Sequence, residues 1–117
     1  MLHTESAHDR ITREVTSWPG VTAGIGERGE FGFRLGRREL GHLHGSHVLH
    51  IGFPKEVWQT LFDAGRIGYH PVFPGRAGFG ARRLATDEDV RDAIALIRLN
   101  YDRVVARHGL PEQSRAA

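Results

Sequence analysis

Residues 21–53 read VTAGIGERGEFGFRLGRRELGHLHGSHVLHIGF, a stretch rich in glycine with short alternating segments. Apolar residues alternate with glycine or arginine over 31–35, which is the period of a half-buried strand. Turn-like residues flank this segment at 27–29 and at 36–37. The pattern therefore predicts three or four antiparallel strands across 21–52.

Helical patterns surround the predicted sheet. The first follows a candidate N-cap at Ser6, and the second begins at Pro54, where the missing N–H costs nothing. A loop over 66–78 and one more strand over 79–85 come next. The third helix spans 86–108, with acids in its first turn. Its apolar stripe comprises Val90, Ile94, Ile97, Tyr101 and Val104.

This order of elements predicts an α+β fold. Helices before and after an antiparallel sheet favour a two-layer sandwich, with the helices packed on one face of the sheet and the other face open. The length of 117 residues predicts a single domain over 1–117, with a frayed tail over 112–117. An open sheet face is a natural place for a binding site.

Composition excludes several classes of protein. The chain has no cysteine, which rules out disulfides, thiolate catalysis and cysteine zinc sites. Sixteen Lys and Arg are interleaved with fourteen Asp and Glu, so no basic stripe predicts nucleic-acid binding. No apolar run is long enough for a membrane span, and residues 1–16 are too charged for a signal peptide. We therefore expect a cytoplasmic protein without nucleic-acid or membrane partners.

The unusual feature is a histidine segment, RELGHLHGSHVLHIGF, over 38–53. His42 and His44 are two residues apart, so a strand places both on one face. A two-residue hairpin at Gly45-Ser46 would add His47 to that face and send His50 to the other. A strand that runs straight through this point would instead align His50 with the pair and turn His47 away.

Three chemistries fit these histidines. Imidazoles are common ligands of zinc and iron, and the candidate ligand set is His42 and His44 with one of His47 or His50. An imidazole near its ordinary pKa can also remove a proton from an acidic substrate, or hydrogen-bond an oxyanion. The same residues equally fit a solvated strand face without function. Glu39 falls on the opposite parity of the strand, which predicts a surface acid, whereas His70 lies in a loop that can approach the pair.

Several of these segments resemble one known family. ELGHLHGSH (39–47), the helix end DAG (63–65), the step His70-Pro71 and the closing TDEDVRDAIALIRLNYDR are similar to the luciferase domain of bioluminescent fungi and to small bacterial proteins with that domain. The resemblance covers about 39–103. The fungal enzymes oxidise a hydroxypyranone luciferin with dioxygen, and no added metal or flavin is usually invoked for them.

The resemblance implies an oxygenase of small aromatic or enolic compounds without a dissociable cofactor. In the mechanism that the resemblance implies, His44 or His42 removes an acidic proton from the substrate. The resulting carbanion or enolate reacts with dioxygen, and His70 stabilises the oxyanion that develops. Two alternatives remain open, namely a histidine-based zinc or iron protein and a non-catalytic ligand-binding module. The sequence leaves the oligomeric state open. The matched positions are His42, His44 and His70, which the resemblance implies are catalytic, and Glu39 with His47 or His50, which it implies bind substrate.

Overall fold

The computed structural model describes residues 5–111, and within that range it has three helices and six strands. The helices are α1 (Ala7–Val15), α2 (Lys55–Asp63) and α3 (Asp87–His108). The strands are β1 (Val21–Ile25), β2 (Phe31–Leu35), β3 (Arg38–His44), β4 (Val48–Gly52), β5 (Gly68–Tyr69) and β6 (Phe79–Arg83). The strands form one antiparallel sheet in the order β1-β2-β3-β4-β6-β5, which confirms the predicted α+β fold.

The helix starts are explained by local capping. The Ser6 hydroxyl accepts a hydrogen bond from the backbone N–H of Asp9 at 3.0 Å, as an N-cap residue does. Thr86 and Asp89 form a reciprocal capping box at the start of α3. The prediction of a single domain over 1–117 stays a prediction, and the tail over 112–117 lies outside the described residues.

The core lies between the helices and one face of the sheet. All three helices contribute buried side chains to one apolar cluster with β2, β3 and β4. The buried stripe of α3 differs from the predicted one, because Ile94 and Val104 are only partly buried. Ala93, Leu96 and Asn100 are buried in their place. The largest fully buried side chains are Trp58, Phe33, Ile11, Leu40, Leu43, Leu49, Leu96, Ile97 and Val15.

The hairpin that carries the histidines has a three-residue turn. His44 pairs with Val48 and His42 pairs with His50, so residues 45–47 form the turn. Gly45 has a φ of 58°, a left-handed conformation that glycine adopts at little cost. The predicted two-residue hairpin at Gly45-Ser46 is therefore wrong, because one additional residue is needed to connect the strands in this register.

The segment after α2 is not entirely a loop. Its short strand β5 pairs with β6, and Tyr69 stacks on Trp58 of α2 with ring centroids 5.5 Å apart. The predicted loop over 66–78 is therefore wrong at Gly68 and Tyr69. This contact fixes the start of the segment that leads to His70.

A β-bulge interrupts the pairing of β2 with β3. Phe33 pairs with Gly41 and Arg34 pairs with Glu39, so Leu40 is an additional residue on β3. The buried side-chain amide of Asn100 in α3 donates hydrogen bonds to the carbonyls of Leu40, at 3.1 Å, and Gly52, at 2.8 Å. The long helix thus holds the bulge and the end of β4 together.

Arg82 joins β6 to the first turns of α3. Its guanidinium lies 2.8 Å from a carboxylate oxygen of Asp89 and 2.7 Å from one of Asp92. The hydrogen bond from Arg82, followed by that from the backbone N–H of Ala85, lowers the pKa of Asp89 to about 2. These contacts connect the second half of the sheet to the helix layer.

Replacing Asp89 by asparagine should lower the melting temperature at pH 7 by several degrees. A depressed folded-state pKa contributes stability above the unfolded value near 4, and this contribution is lost as pH falls through about 2. The melting temperature of Asp89→Asn should therefore change less between pH 4 and pH 2 than that of the wild type. Thermal melts across this range check the expectation. Glu88→Gln, at an exposed position of the same turn, is the control, and equal acid sensitivity of Asp89→Asn and wild type would contradict the assignment.

Candidate functional site

The open face of the sheet carries a pocket of about 580 Å³. Strand alternation places the histidines of β3 and β4 on the face opposite the helix-facing side chains of Leu43 and Leu49. Four histidines line it, namely His42 and His44 of β3, His50 of β4 and His70 directly after β5. The rest of the lining comprises Arg28, Glu30, Glu39, Gly41, Ile51, Gly52, Val72, Phe73 and Phe79.

Strand pairing brings three of these imidazoles together. His42 and His44 follow each other on one face of β3, and their ring centroids are 5.1 Å apart. His50 lies directly across from His42 on β4, with ring centroids 5.4 Å from His42 and 4.5 Å from His44. One ligand nitrogen from each of the three lies within 4.8 Å of the others.

His70 reaches the same space from its loop, as the sequence predicted. Its ring centroid lies 4.1 Å from that of His50. The backbone N–H of Val72 donates to His70 Nδ1 at 3.1 Å. In its neutral form His70 therefore carries its proton on Nε2.

His47 lies outside this cluster. It occupies the exposed three-residue turn and does not line the pocket. The sequence left either His47 or His50 as the third member of the metal set. The turn brings His50 to the face of the pair and leaves His47 at its tip. The predicted substrate-binding position at His47 is likewise away from the pocket.

Glu39 is exposed, as predicted for a surface acid, but it also lines the pocket, so its predicted place on the opposite face of the strand is wrong. The bulge at Leu40 shifts the alternation of β3 by one residue, so Glu39 reaches the face of His42. Its carboxylate lies 2.9 Å from His42 Nδ1, and this hydrogen bond is the main cause that lowers the pKa of Glu39. Because a carboxylate accepts only, the neutral form of His42 carries its proton on Nδ1 and its lone pair on Nε2.

His50 is the buried member of the cluster. Only 7% of the residue is exposed, and neither ring nitrogen has a hydrogen-bond partner among the described residues. Desolvation, followed by the neighbouring His70, His44 and His42, lowers the pKa of His50 to about 4. His50 is therefore neutral at pH 7, with unpaired polar atoms whose burial is costly without a ligand.

Two phenyl rings, those of Phe73 and Phe79, also line the pocket. Phe73 lies 5.3 Å from His70 and 4.6 Å from Phe79 between ring centroids. The guanidinium of Arg76 lies over both phenyl rings, at 5.6 and 5.3 Å from their centroids. Sequence reasoning missed Phe73 and Phe79, although their place on either side of the glycine- and proline-containing turn was a usable signal.

The fold and the site define an α+β protein with a histidine cluster on the open face of an antiparallel sheet. The model of the luciferase domain family matches residues 37–100, which is more than half of the chain. The chain therefore belongs to the luciferase domain family, and the resemblance seen in the sequence is confirmed. The match includes Glu39 and all four pocket histidines.

Two further findings concern known relatives and membrane-spanning helices. Comparison with curated proteins and with solved structures finds no match. Among residues 5–111, no helix has the length and apolar character needed to cross a membrane. The expected cytoplasmic location and the expected absence of nucleic-acid partners stay predictions.

Proposed function

We propose that this protein binds a small planar aromatic or enolic compound in the histidine-lined pocket and oxygenates it with dioxygen. The main observation in support of this proposal is that four imidazoles and two phenyl rings line one pocket of about 580 Å³. Volumes of about 300–1,000 Å³ and mixed apolar and polar linings are usual for small-molecule sites. Membership of the luciferase domain family supports the oxygenation.

The pocket offers complementary groups to such a compound. A planar ring can stack against Phe73 and Phe79. An acidic hydroxyl can donate to the lone pair on His42 Nε2, which Glu39 holds in place through Nδ1. A second oxygen of the compound can accept from the N–H on Nε2 of His70.

The same groups support the chemical step. Neutral His42 accepts the acidic proton, and the electron pair left on the delocalised substrate anion forms a carbon–oxygen bond with dioxygen. The negative charge then lies on the terminal oxygen of the peroxide, where the N–H of His70 stabilises it. His44 lies beside His42 at the exposed side of the cluster and contacts the bound compound.

Replacing His44 by alanine should weaken binding of a hydroxypyranone or a comparable planar enol at least about tenfold, or about 1.4 kcal/mol, because a polar contact to the compound is lost. The double variant His42→Ala/His44→Ala should lose measurable binding. Isothermal titration calorimetry measures both. His108→Ala, at the exposed end of α3, is the control and should bind like the wild type. Unchanged affinity in the double variant would refute the proposed pocket.

Oxygenation has its own test. Incubation of the protein with the bound enol should consume dioxygen, and isotopically labelled dioxygen should place its label in the product. Substrate binding without dioxygen consumption would leave a non-catalytic ligand-binding module and refute the enzymatic part of the proposal. Loss of consumption in His70→Ala, measured at an enol concentration that saturates the variant, would support the role of His70 at the oxyanion.

A further inference from the structure

We infer that His42, His44 and His50 form a binding site for one divalent transition-metal ion, open on one side to the pocket. One ligand nitrogen from each lies within 4.8 Å of the other two. Three nitrogens bound to zinc at about 2.0–2.1 Å must lie within roughly 4 Å of one another, so binding of one ion requires these nitrogens to move closer together. Neutral imidazoles suit zinc, iron and copper alike.

The buried member of the set indicates a ligand independently of this geometry. His50 is 7% exposed and lines the pocket, and both of its ring nitrogens lack a partner among the described residues. Buried polar side chains are almost always paired with protein, water or a ligand. An ion between the three rings would give His50 the partner that residues 5–111 do not supply.

Glu39 lies where its carboxylate can orient a metal-bound His42. Metal-bound histidines usually donate their second ring N–H to a carboxylate or a carbonyl, which fixes the tautomer and the ring orientation. Glu39 accepts from Nδ1 of His42 at 2.9 Å and so leaves the Nε2 lone pair for an ion. The bulge at Leu40, held by Asn100, puts this carboxylate in place.

His70 is not a ligand in this arrangement. Its Nδ1 accepts the N–H of Val72, so the neutral ring has a proton on Nε2 and no lone pair for the ion. The ion therefore has three protein ligands and an open coordination position on the pocket side. His70 remains able to donate a hydrogen bond to whatever occupies that position.

The inference rests on the pocket of the proposed function and refines one of its steps. With an ion bound, the lone pair of His42 is used by the metal. A bound ion would supply Lewis-acid chemistry to a substrate hydroxyl at the open position, so His42 would serve as a ligand and the hydroxyl proton would pass to solvent. His70 and the phenyl rings keep the positions proposed for them.

The test uses protein purified without a histidine tag and stripped with a chelator. Titration with zinc should give one equivalent, and zinc should raise the melting temperature, because the ion binds only the folded arrangement. Cobalt(II) should give the visible absorption of a four-coordinate site. His44→Ala, at an exposed position, should weaken zinc binding at least about 100-fold at an unchanged fold.

Matched variants identify the ligand set. His47→Ala, on the same hairpin, and His108→Ala should bind zinc as the wild type does. His70→Ala should keep the stoichiometry and affinity for zinc. Loss of zinc affinity in His47→Ala, or equal affinity in His44→Ala and wild type, would overturn the assignment, as would the absence of stoichiometric binding.

The two proposals fail in different ways. Binding of the planar enol to stripped protein that takes up no zinc would overturn the metal site and support the proposed function in its cofactor-free form. Stoichiometric zinc binding, lost in His44→Ala, with no enol binding to either form would support the metal site and refute the proposed function. Tighter enol binding to the zinc form than to the stripped form would support both.

Discussion

Replacing Ile97 by aspartate should unfold the protein. Ile97 is 0% exposed and lies on the core side of α3, among the apolar side chains that join the helices to the sheet. A carboxylate at this position has no partner in the apolar cluster, and burial of an unpaired charge costs several kcal/mol. That cost is comparable to the total stability of a small domain, roughly 5–15 kcal/mol. Circular dichroism and thermal melting measure the loss of structure.

Leu99 is the matched control for this substitution. It lies two residues further along α3 and is 38% exposed, so Leu99→Asp places the same charge in the same helix at the solvent side. We expect Leu99→Asp to fold and to melt within a few degrees of the wild type. An Ile97→Asp variant that also melted within a few degrees of the wild type would contradict the core position of Ile97.

Replacing Asn100 by aspartate should destabilise the protein by about 3 kcal/mol. The side-chain amide donates to the carbonyls of Leu40 and Gly52, and an aspartate of nearly the same shape turns this donor into an acceptor. Loss of a buried hydrogen-bond partner costs about 1–3 kcal/mol per group, and more where a charge is left. Denaturant unfolding at pH 7 measures the difference in the free energy of unfolding.

The Asn100 substitution also tests the link between the helix and the site. The carbonyl of Leu40 belongs to the bulge that aims Glu39 at His42, so the folded fraction of Asn100→Asp should show a weakened contact between these two side chains. Nitrogen NMR of the His42 ring reports its tautomer. Asp102→Asn, at an exposed position of α3, should change stability by no more than about 1 kcal/mol. An Asn100→Asp protein as stable as this control would show that the two hydrogen bonds are not needed.

Local signals in the sequence were sufficient for the helices and for the existence of the sheet. Ser6 and Thr86 are caps whose hydrogen bonds reach only three residues along the chain, so they can be recognised without knowledge of the fold. The two-residue spacing of His42 and His44 likewise determines that they share a face of β3, because side-chain alternation is a property of the strand itself.

The composition of the site depended on tertiary structure. The sequence allowed either His47 or His50 beside the pair, and the pairing of β3 with β4 places His50 there. Glu39 reaches His42 because of the bulge at Leu40. Side-chain alternation along a single strand cannot predict this bulge, because the bulge arises from the pairing of β3 with β2 and is held by Asn100, 60 residues from Leu40. Register, bulges and loop approach are set by contacts between distant segments. The local sequence therefore supplied the histidines, whereas the packing of α3 and the strand register decided which of them meet.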